Sequence, residues 1–317
     1  MQLTPDDPAA AGRSVGAPSQ SQPSLSPPPL VAPAGGLEHR RAAVLGSPIT
    51  HSRSPDLHLA AYRALGLTGW TYDRIECAAA DLPGLVGGLD EAFVGLSVTM
   101  PDKLAALDFA TERTDRAVLV GSANTLLRTA SGWRADCTDI DGMSGALAAV
   151  GVDADSVGCD LDSRAVLLGA GGTALPTVAA LAAAGITEVT VVARDAARAS
   201  GVLALADRLG LTATVLGFAP SATLRDRCAA AAVTVSTVPA DAAAPLADSV
   251  AAAARVVDVI YAPWPTPLAD AVTTAGGRIV GGLVMLLHQA FSQVEQFTGR
   301  PAPRSAMAAA VGASATS

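Results

Sequence analysis

One nine-residue stretch constrains this chain more than any other. Residues 166–174 read VLLGAGGTA. The apolar run Arg164–Gly169 predicts a strand buried on both faces, as in a parallel sheet. The alanine-rich run that follows, to Ala184, predicts a helix. Between them Gly169-x-Gly171-x-x-Ala174 fits the G-x-G-x-x-G/A pattern of a dinucleotide-binding turn. Gly169 would allow the tight turn, Gly171 the approach of a pyrophosphate, and Ala174 the close packing of helix on strand. Ala170, Gly172 and Thr173 complete a loop at the positive end of the helix dipole, where free N–H groups meet an anion. In a chain with 30 glycines the same letters also spell a plain turn, and it is the strand–turn–helix setting that favours the cofactor.

The next strand, Glu188–Ala193, carries the choice of cofactor. It is followed by Arg194, Asp195 and, one helical turn on, Arg198. Two guanidiniums at that place suit a 2′-phosphate and point to NADP. Asp195 either caps the following helix or accepts from free ribose hydroxyls, which keeps NAD open. Strands and helices continue to alternate to Val280, which predicts a doubly wound α/β unit.

The first half also alternates. Strands are expected at Ala42–Leu45, Thr71–Cys77, Phe93–Val98 and Asn124–Arg128, and helices at Ser54–Leu65, Ala80–Leu89, Lys103–Ala110 and Asp141–Val150. The predicted class is α/β with two domains: an N-terminal α/β substrate domain over 40–139, completed by a returning helix at 282–300, and a dinucleotide-binding domain over 140–281. Residues 1–38 hold eight of the 21 prolines and read as a disordered tail. Residues 301–317 read as a flexible tail.

Composition narrows the partners. With 21 Lys+Arg against 29 Asp+Glu the net charge is −8, and aromatics make up 3%. That argues against nucleic acid, which is held through phosphate contacts and base stacking. No apolar run reaches the ~18 residues of a membrane span. The four cysteines form no CxxC pair and the four histidines no HExxH, so no metal site is expected. Scattered cysteines suit a reducing cytoplasm. A small-molecule substrate remains, handled by a monomer or homodimer.

Three polar segments in the first half invite that substrate. In GSPITHSRSPDLH, Ser52 and Ser54 precede a helix with Pro55 at its start. Capping explains Ser54 alone, whereas two hydroxyls at i and i+2 suit a carboxylate or polyol. In GLSVTMPDK, Lys103 follows a strand end, where open α/β sheets place ligands. In GSANT and DCTDIDG, Asn124 is both donor and acceptor, and Asp139 is either a partner for Lys103 or a helix cap. His51 and His58 read as packing or hydrogen-bonding residues, His288 as helix surface or domain contact, and Trp264 as hinge packing or a cofactor contact.

Taken together, these segments resemble the shikimate dehydrogenase family. The family's motifs G-x-P-I-x-H-S-x-S-P, N-V-T-x-P-x-K, G-A-x-N-T, N-T-D and G-A-G-G have counterparts in order. So do a Y-N-P-x-x-T-P-L stretch at Tyr261–Leu268 and a G-x-x-M-L-x-x-Q stretch at Gly282–Gln289. The closing ARD and STVP segments look like the actinobacterial branch. The resemblance implies NADPH-dependent, reversible reduction of 3-dehydroshikimate to shikimate, a step toward chorismate and the aromatic amino acids, on a Rossmann-type cofactor domain. It implies Lys103 and Asp139 as the catalytic pair, and Ser52, Ser54, Thr99, Asn124, Tyr261 and Gln289 as substrate ligands. Gly169, Ala170, Gly171, Gly172, Thr173, Ala174, Arg194, Asp195, Arg198 and Gly282 would hold the dinucleotide.

The chemistry fits those residue types. Hydride addition to a ketone leaves an alkoxide-like oxygen that a lysine can protonate or stabilise. Burial lowers a lysine pKa and a carboxylate raises it, and the sequence does not say which wins. Several positions depart from the family pattern: Ser97 and Cys137 stand where asparagine is usual, as do Leu59 and Ala262, and Leu175 where arginine is. Two rivals follow, an NAD-dependent quinate/shikimate dehydrogenase and a cofactor-binding paralogue without turnover.

Overall fold

The computed structural model describes residues 24–29 and 38–312. Two six-stranded sheets organise it. The first is built from β1 (Arg41–Gly46), α1 (Ser54–Ala64), β2 (Thr71–Glu76), α2 (Leu82–Gly87), β3 (Phe93–Val98), α3 (Lys103–Phe109), β4 (Glu112–Arg113), α4 (Asp115–Val120), β5 (Thr125–Thr129) and β6 (Gly132–Asp136). Its order is β2-β1-β3-β5-β6-β4. β1 runs parallel to β2 and β3, but β5 turns back antiparallel to β3, and β6 antiparallel to β5. That reversal matters for the site. It brings the start of β5 and the end of β6 to the same sheet edge as the carboxyl ends of β1 and β3, with Ser97 opposite Thr125 and Thr125 opposite Asp136.

Helix α5 (Asp139–Ala149) leads to the second sheet. There follow β7 (Arg164–Leu168), α6 (Ala174–Ala183), β8 (Glu188–Ala193), α7 (Ala196–Arg208), β9 (Thr212–Gly217), α8 (Ala222–Ala230), β10 (Val233–Ser236), the short α9 (Ala240–Ala243) and α10 (Ala247–Val250), β11 (Arg255–Asp258), α11 (Pro267–Thr274) and β12 (Arg278–Gly281). Every pairing in it is parallel, in the order β12-β11-β10-β7-β8-β9. Its central strands are almost wholly buried, as helices on both faces require. The order reverses between β7 and β10, which is where a doubly wound sheet opens a crevice.

Helix α12 (Gly282–Thr298) returns to the first sheet and buries Leu287, Phe291, Val294 and Phe297 in a core with Val44, Leu57, Tyr62 and Tyr72. It crosses α5 closely. A Cβ on Gly142 would lie 2.7 Å from the Met285 carbonyl oxygen, and one on Gly145 2.0 Å from Cγ of His288. His288 is therefore a helix–helix contact.

The expected C-terminal tail needs correction. Residues 304–311 form helix α13 (Arg304–Val311), which buries Met307, Ala308 and Val311 in the α1–α12 core. Alanine-rich composition had masked an ordinary amphipathic helix closed by Gly312 in the left-handed region (φ 67°). Of the N-terminal stretch only 24–29 and 38 are described, and Leu25 packs against the main core; the rest of that expectation lies outside the described residues. The region 112–136 also holds more structure than expected, with β4, α4 and β6.

Candidate active site

A cavity of about 280 Å³ opens at the carboxyl ends of β1 and β3, facing the second sheet. It is lined by Ser52, Ser54, Thr99, Lys103, Asn124, Asp139, Tyr261, Gly282 and Gln289, together with Thr173 from the glycine-rich turn. Eight of these are the residues expected to meet substrate or carry the reaction.

Local structure explains how they converge. Lys103 is the first residue of α3, just past the end of β3. Asp139 opens α5, three residues past the end of β6. Its carboxylate does not cap that helix; Oδ2 takes the Lys103 ammonium and Oδ1 accepts from Asn124 Nδ2 at 3.0 Å. Asn124 is itself locked, its Oδ1 accepting from the Thr138 N–H at 2.7 Å and its Nδ2 donating also to Thr138 Oγ1 (2.9 Å) and Gln289 Oε1 (3.1 Å). Gln289 Nε2 donates in turn to the Leu286 carbonyl at 3.0 Å. The Lys103 and Asp139 side chains are 18% and 9% exposed, open enough to meet a ligand and too dry for the pair to be an idle surface contact. Burial pulls the Lys103 pKa down, but the Asp139 carboxylate overcomes it and the net shift is upward. The lysine is an ammonium at neutral pH.

Ser54 begins α1 and makes no capping bond, so the capping explanation fails for it. The loop carrying Ser52 is tied to β2: Arg74 donates from Nε (3.0 Å) and Nη2 (2.6 Å) to the Ser52 carbonyl, and Glu76 accepts from Ser47 Oγ (2.6 Å) and the Ile49 N–H (3.1 Å).

Several residues did not stand out as site residues in the sequence, although Ser97 did as a departure from the family's asparagine. Gln293 and Ser97 also line the cavity. Arg116, fully buried, binds Asp136 twice (2.7 and 2.6 Å) and Asp141 once (2.8 Å), so one guanidinium straddles the turn that holds Asp139. Gln296 adds a bond to Asp136 at 2.7 Å. The charge spacing at Asp136 and Asp141, on either side of Asp139, is the one sequence signal that could have pointed there.

The second cavity, about 220 Å³, lies at the switch point of the second sheet. Gly169, Ala170, Gly171, Arg194 and Arg198 line it, with Thr237–Pro239 opposite. Gly169 sits at φ +103°, and a Cβ there would meet Thr237 Oγ1 and Val238 Cγ1 at 2.7 Å, so only glycine makes this turn. Space around Gly171 and Gly172 is open. Asp195 caps α7, its Oδ1 accepting from the Ala197 N–H at 2.8 Å, and does not line the cavity. Ala174 is fully buried under the turn. A third opening, lined by His51 and Val259–Pro263, joins the two sheets, so His51 faces the cleft. Trp264, 44% exposed, leans on Gly281.

The glycine-rich turn, the open α6 N-terminus and two exposed arginines without a partner among the described residues fit a phosphorylated dinucleotide. No helix among the described residues is long and apolar enough to cross a membrane.

Comparisons with known proteins agree with this geometry. Residues 44–126 match the family description "Shikimate dehydrogenase substrate binding domain" and residues 282–311 "Shikimate 5'-dehydrogenase C-terminal domain". The crystal structure of Mycobacterium tuberculosis shikimate dehydrogenase is 57% identical, with a TM-score of 0.80 over 86% of this chain and 99% of that one. The Thermus thermophilus shikimate 5-dehydrogenase, solved with NADP(H) and shikimate, is 30% identical with a TM-score of 0.69 over 86% and 98%. A curated shikimate dehydrogenase (NADP(+)) of Cereibacter sphaeroides is 36% identical over 276 residues, 83% of this chain and 94% of its own length. Other curated shikimate dehydrogenases match over a segment that spans about half their length.

Proposed function

The chain belongs to the shikimate dehydrogenase family, and from that premise we propose that it catalyses the reversible, NADPH-dependent reduction of 3-dehydroshikimate to shikimate. The observation that carries the reading is the Lys103–Asp139 pair, held by Asn124 in a cavity that faces the glycine-rich turn across the cleft.

The cofactor, when bound, supplies or accepts the hydride. Gly169, Gly171 and the N–H groups at the start of α6 would hold its pyrophosphate, and Arg194 and Arg198 its 2′-phosphate. Everything else falls to the chain. Ser52 and Ser54, at the mouth of a loop braced by Arg74, donate to the substrate carboxylate. Thr99, Asn124 and Gln289 fix the ring. The Lys103 ammonium is aimed at the carbonyl and gives the oxygen its proton as negative charge develops there. In the reverse direction the amine takes the proton back. Asp139 keeps the ammonium oriented and charged. Tyr261 and Gly282 come from the cofactor side of the cleft, so closing the cleft brings Tyr261 onto the substrate and sheds water before transfer. The four cysteines are unpaired, in keeping with a cytoplasmic enzyme.

Asp195, spent as a helix cap, favours NADP over NAD. Initial rates with shikimate or quinate, each with NADP or NAD, test the reading. The expected outcome is that shikimate with NADP is fastest. Faster quinate oxidation with NAD replaces it with the quinate reading, and no turnover in any pairing replaces it with the cofactor-binding paralogue.

A further inference from the structure

Ser97 stands on the cavity wall between Tyr72 and Gln293, and the direction of every proton in that row can be deduced. Gln293 Nε2 lies 3.1 Å from the Asn124 carbonyl, which can only accept, and 3.0 Å from Thr125 Oγ1. Nε2 is therefore the donor end of the amide and Oε1 the acceptor. Ser97 Oγ is 2.6 Å from Oε1, so the single hydroxyl proton of Ser97 is spent on Gln293. Tyr72 Oη is 2.5 Å from Ser97 Oγ and also meets the Ser54 hydroxyl; since Ser97 has no proton left for it, the phenol must be the donor to Ser97. Burial keeps the Tyr72 phenol protonated far above its ordinary range. On the far side His58 Nε2 stands 3.3 Å from the same Gln293 oxygen and donates to it. Ser97 has one lone pair left, and the residue lines the cavity.

We propose that Ser97 is an obligate acceptor, fixed in that polarity by Tyr72 and Gln293, which reads one non-reacting ring hydroxyl of the substrate by its proton. The inference rests on the functional reading above. It makes Tyr72, which does not line the cavity, a positioning residue acting through Ser97. It also gives the cavity a direction. The Ser52–Ser54 end and the Lys103 end offer protons to oxygens that only accept, a carboxylate and a ketone, whereas the wall between them takes a proton. A ring bound the other way round would press a carboxylate or ketone oxygen on the Ser97 lone pair, a repulsive element that selects one orientation. A site built to bond a hydroxyl rejects an analogue without that proton more strongly than a merely apolar wall would.

The test uses shikimate and two analogues, each with one non-reacting ring hydroxyl replaced by fluorine, which keeps the size but has no proton to give. They are assayed on the intact enzyme and on Ser97→Ala, Tyr72→Phe and the double variant. Turnover of shikimate itself by the unaltered chain checks the functional reading separately. The expected result is a KM at least about tenfold higher for one fluorinated analogue on the unaltered enzyme, with kcat little changed. That penalty falls below about threefold in Ser97→Ala, and partly relaxes in Tyr72→Phe because an unanchored Ser97 can turn its proton to the cavity. Tyr72→Phe has no further effect once Ser97 is alanine. If neither fluorine raises KM, if the penalty survives Ser97→Ala, or if Tyr72→Phe acts equally in both backgrounds, the proposal is overturned.

Discussion

The two cavities that face each other across the cleft are organised in opposite ways. In the first, the polar groups around the lysine form one bonded chain: Lys103 to Asp139, Asp139 to Asn124, Asn124 to Thr138 and Gln289, Gln293 to Ser97. In the second, the working groups are a bare turn and two exposed arginines. A prebonded wall has spent its ordering cost in folding and does not reorganise when charge develops, which is what a chemical step requires. An open turn with exposed cations suits a ligand that must arrive and leave in each cycle. The contrast has a measurable form: changes in the first cavity should couple to one another, and changes in the second should act singly and feel salt.

The largest effect is expected at the centre of the prebonded wall. Lys103→Ala should lower kcat by about a thousandfold or more with a much smaller change in KM. Kinetics at saturating substrate check it, and a kcat within tenfold of the original would remove Lys103 from the proton-transfer step.

Asp139→Asn should cost about a hundredfold in kcat, and its pH profile carries the sign. In the intact pair the carboxylate holds the Lys103 pKa up against burial. Without that charge, burial alone acts and the pKa falls. The basic limb of the kcat profile, where the ammonium is lost, should therefore move to lower pH. An unmoved limb would mean that Asp139 acts only by geometry. The double variant should be far less than additive, since both changes remove one unit.

Helix α5 crosses α12 where the backbone of Gly142 faces the Met285 carbonyl. Gly142→Ala puts a methyl against backbone that cannot swing aside. A stability loss of about 1–3 kcal/mol is expected from overpacking, read as a shift of the denaturation midpoint. Because α5 begins at Asp139 and α12 carries Gln289, kcat should fall with it. Stability loss with unchanged kcat would show that the crossing supports the fold and not the site.

How much of this was legible in the sequence follows from the same contrast. The second cavity depends on local patterns, glycines and arginines placed just after strands, and a linear reading finds such patterns. The individual side chains of the first cavity were legible too, but what binds them together was not. Arg116 sits in a run of alternating charges, Glu112, Arg113, Asp115 and Arg116, with no periodicity to mark one of them as fully buried. Its partners come from β6 and α5, and Gln293 and Gln296 from α12, more than 150 residues away from Ser97 and Asp136. Only the antiparallel return of β5 and β6 brings these together, and neither β6 nor α4 carries an apolar signature strong enough to announce itself. Ser54 could be read as a cap or a ligand and Asp139 as a cap or a partner for Lys103, and the helix starts remove the capping reading for both.

The smallest effect tests the open side of the comparison. Arg194 and Arg198 are exposed and make no ion pair among the described residues, so each meets a 2′-phosphate in surroundings close to water. There a pair of opposite charges is worth about 1 kcal/mol or somewhat more when bidentate, and salt screens it. Arg194→Ala should accordingly raise KM for NADP by about tenfold and leave KM for NAD within about twofold. In the unaltered enzyme KM for NADP should climb between about 0.05 and 0.5 M salt, where the screening length shrinks below the reach of an exposed pair. The climb should be shallower in the variant. KM for shikimate should hold steadier across the same range, because its proposed donors are neutral hydroxyls and amides and its one cation, Lys103, is already paired with Asp139. A KM for NADP indifferent to salt would mean that the arginines are not the cofactor's partners, and the division into a prebonded and an open cavity would have to be redrawn.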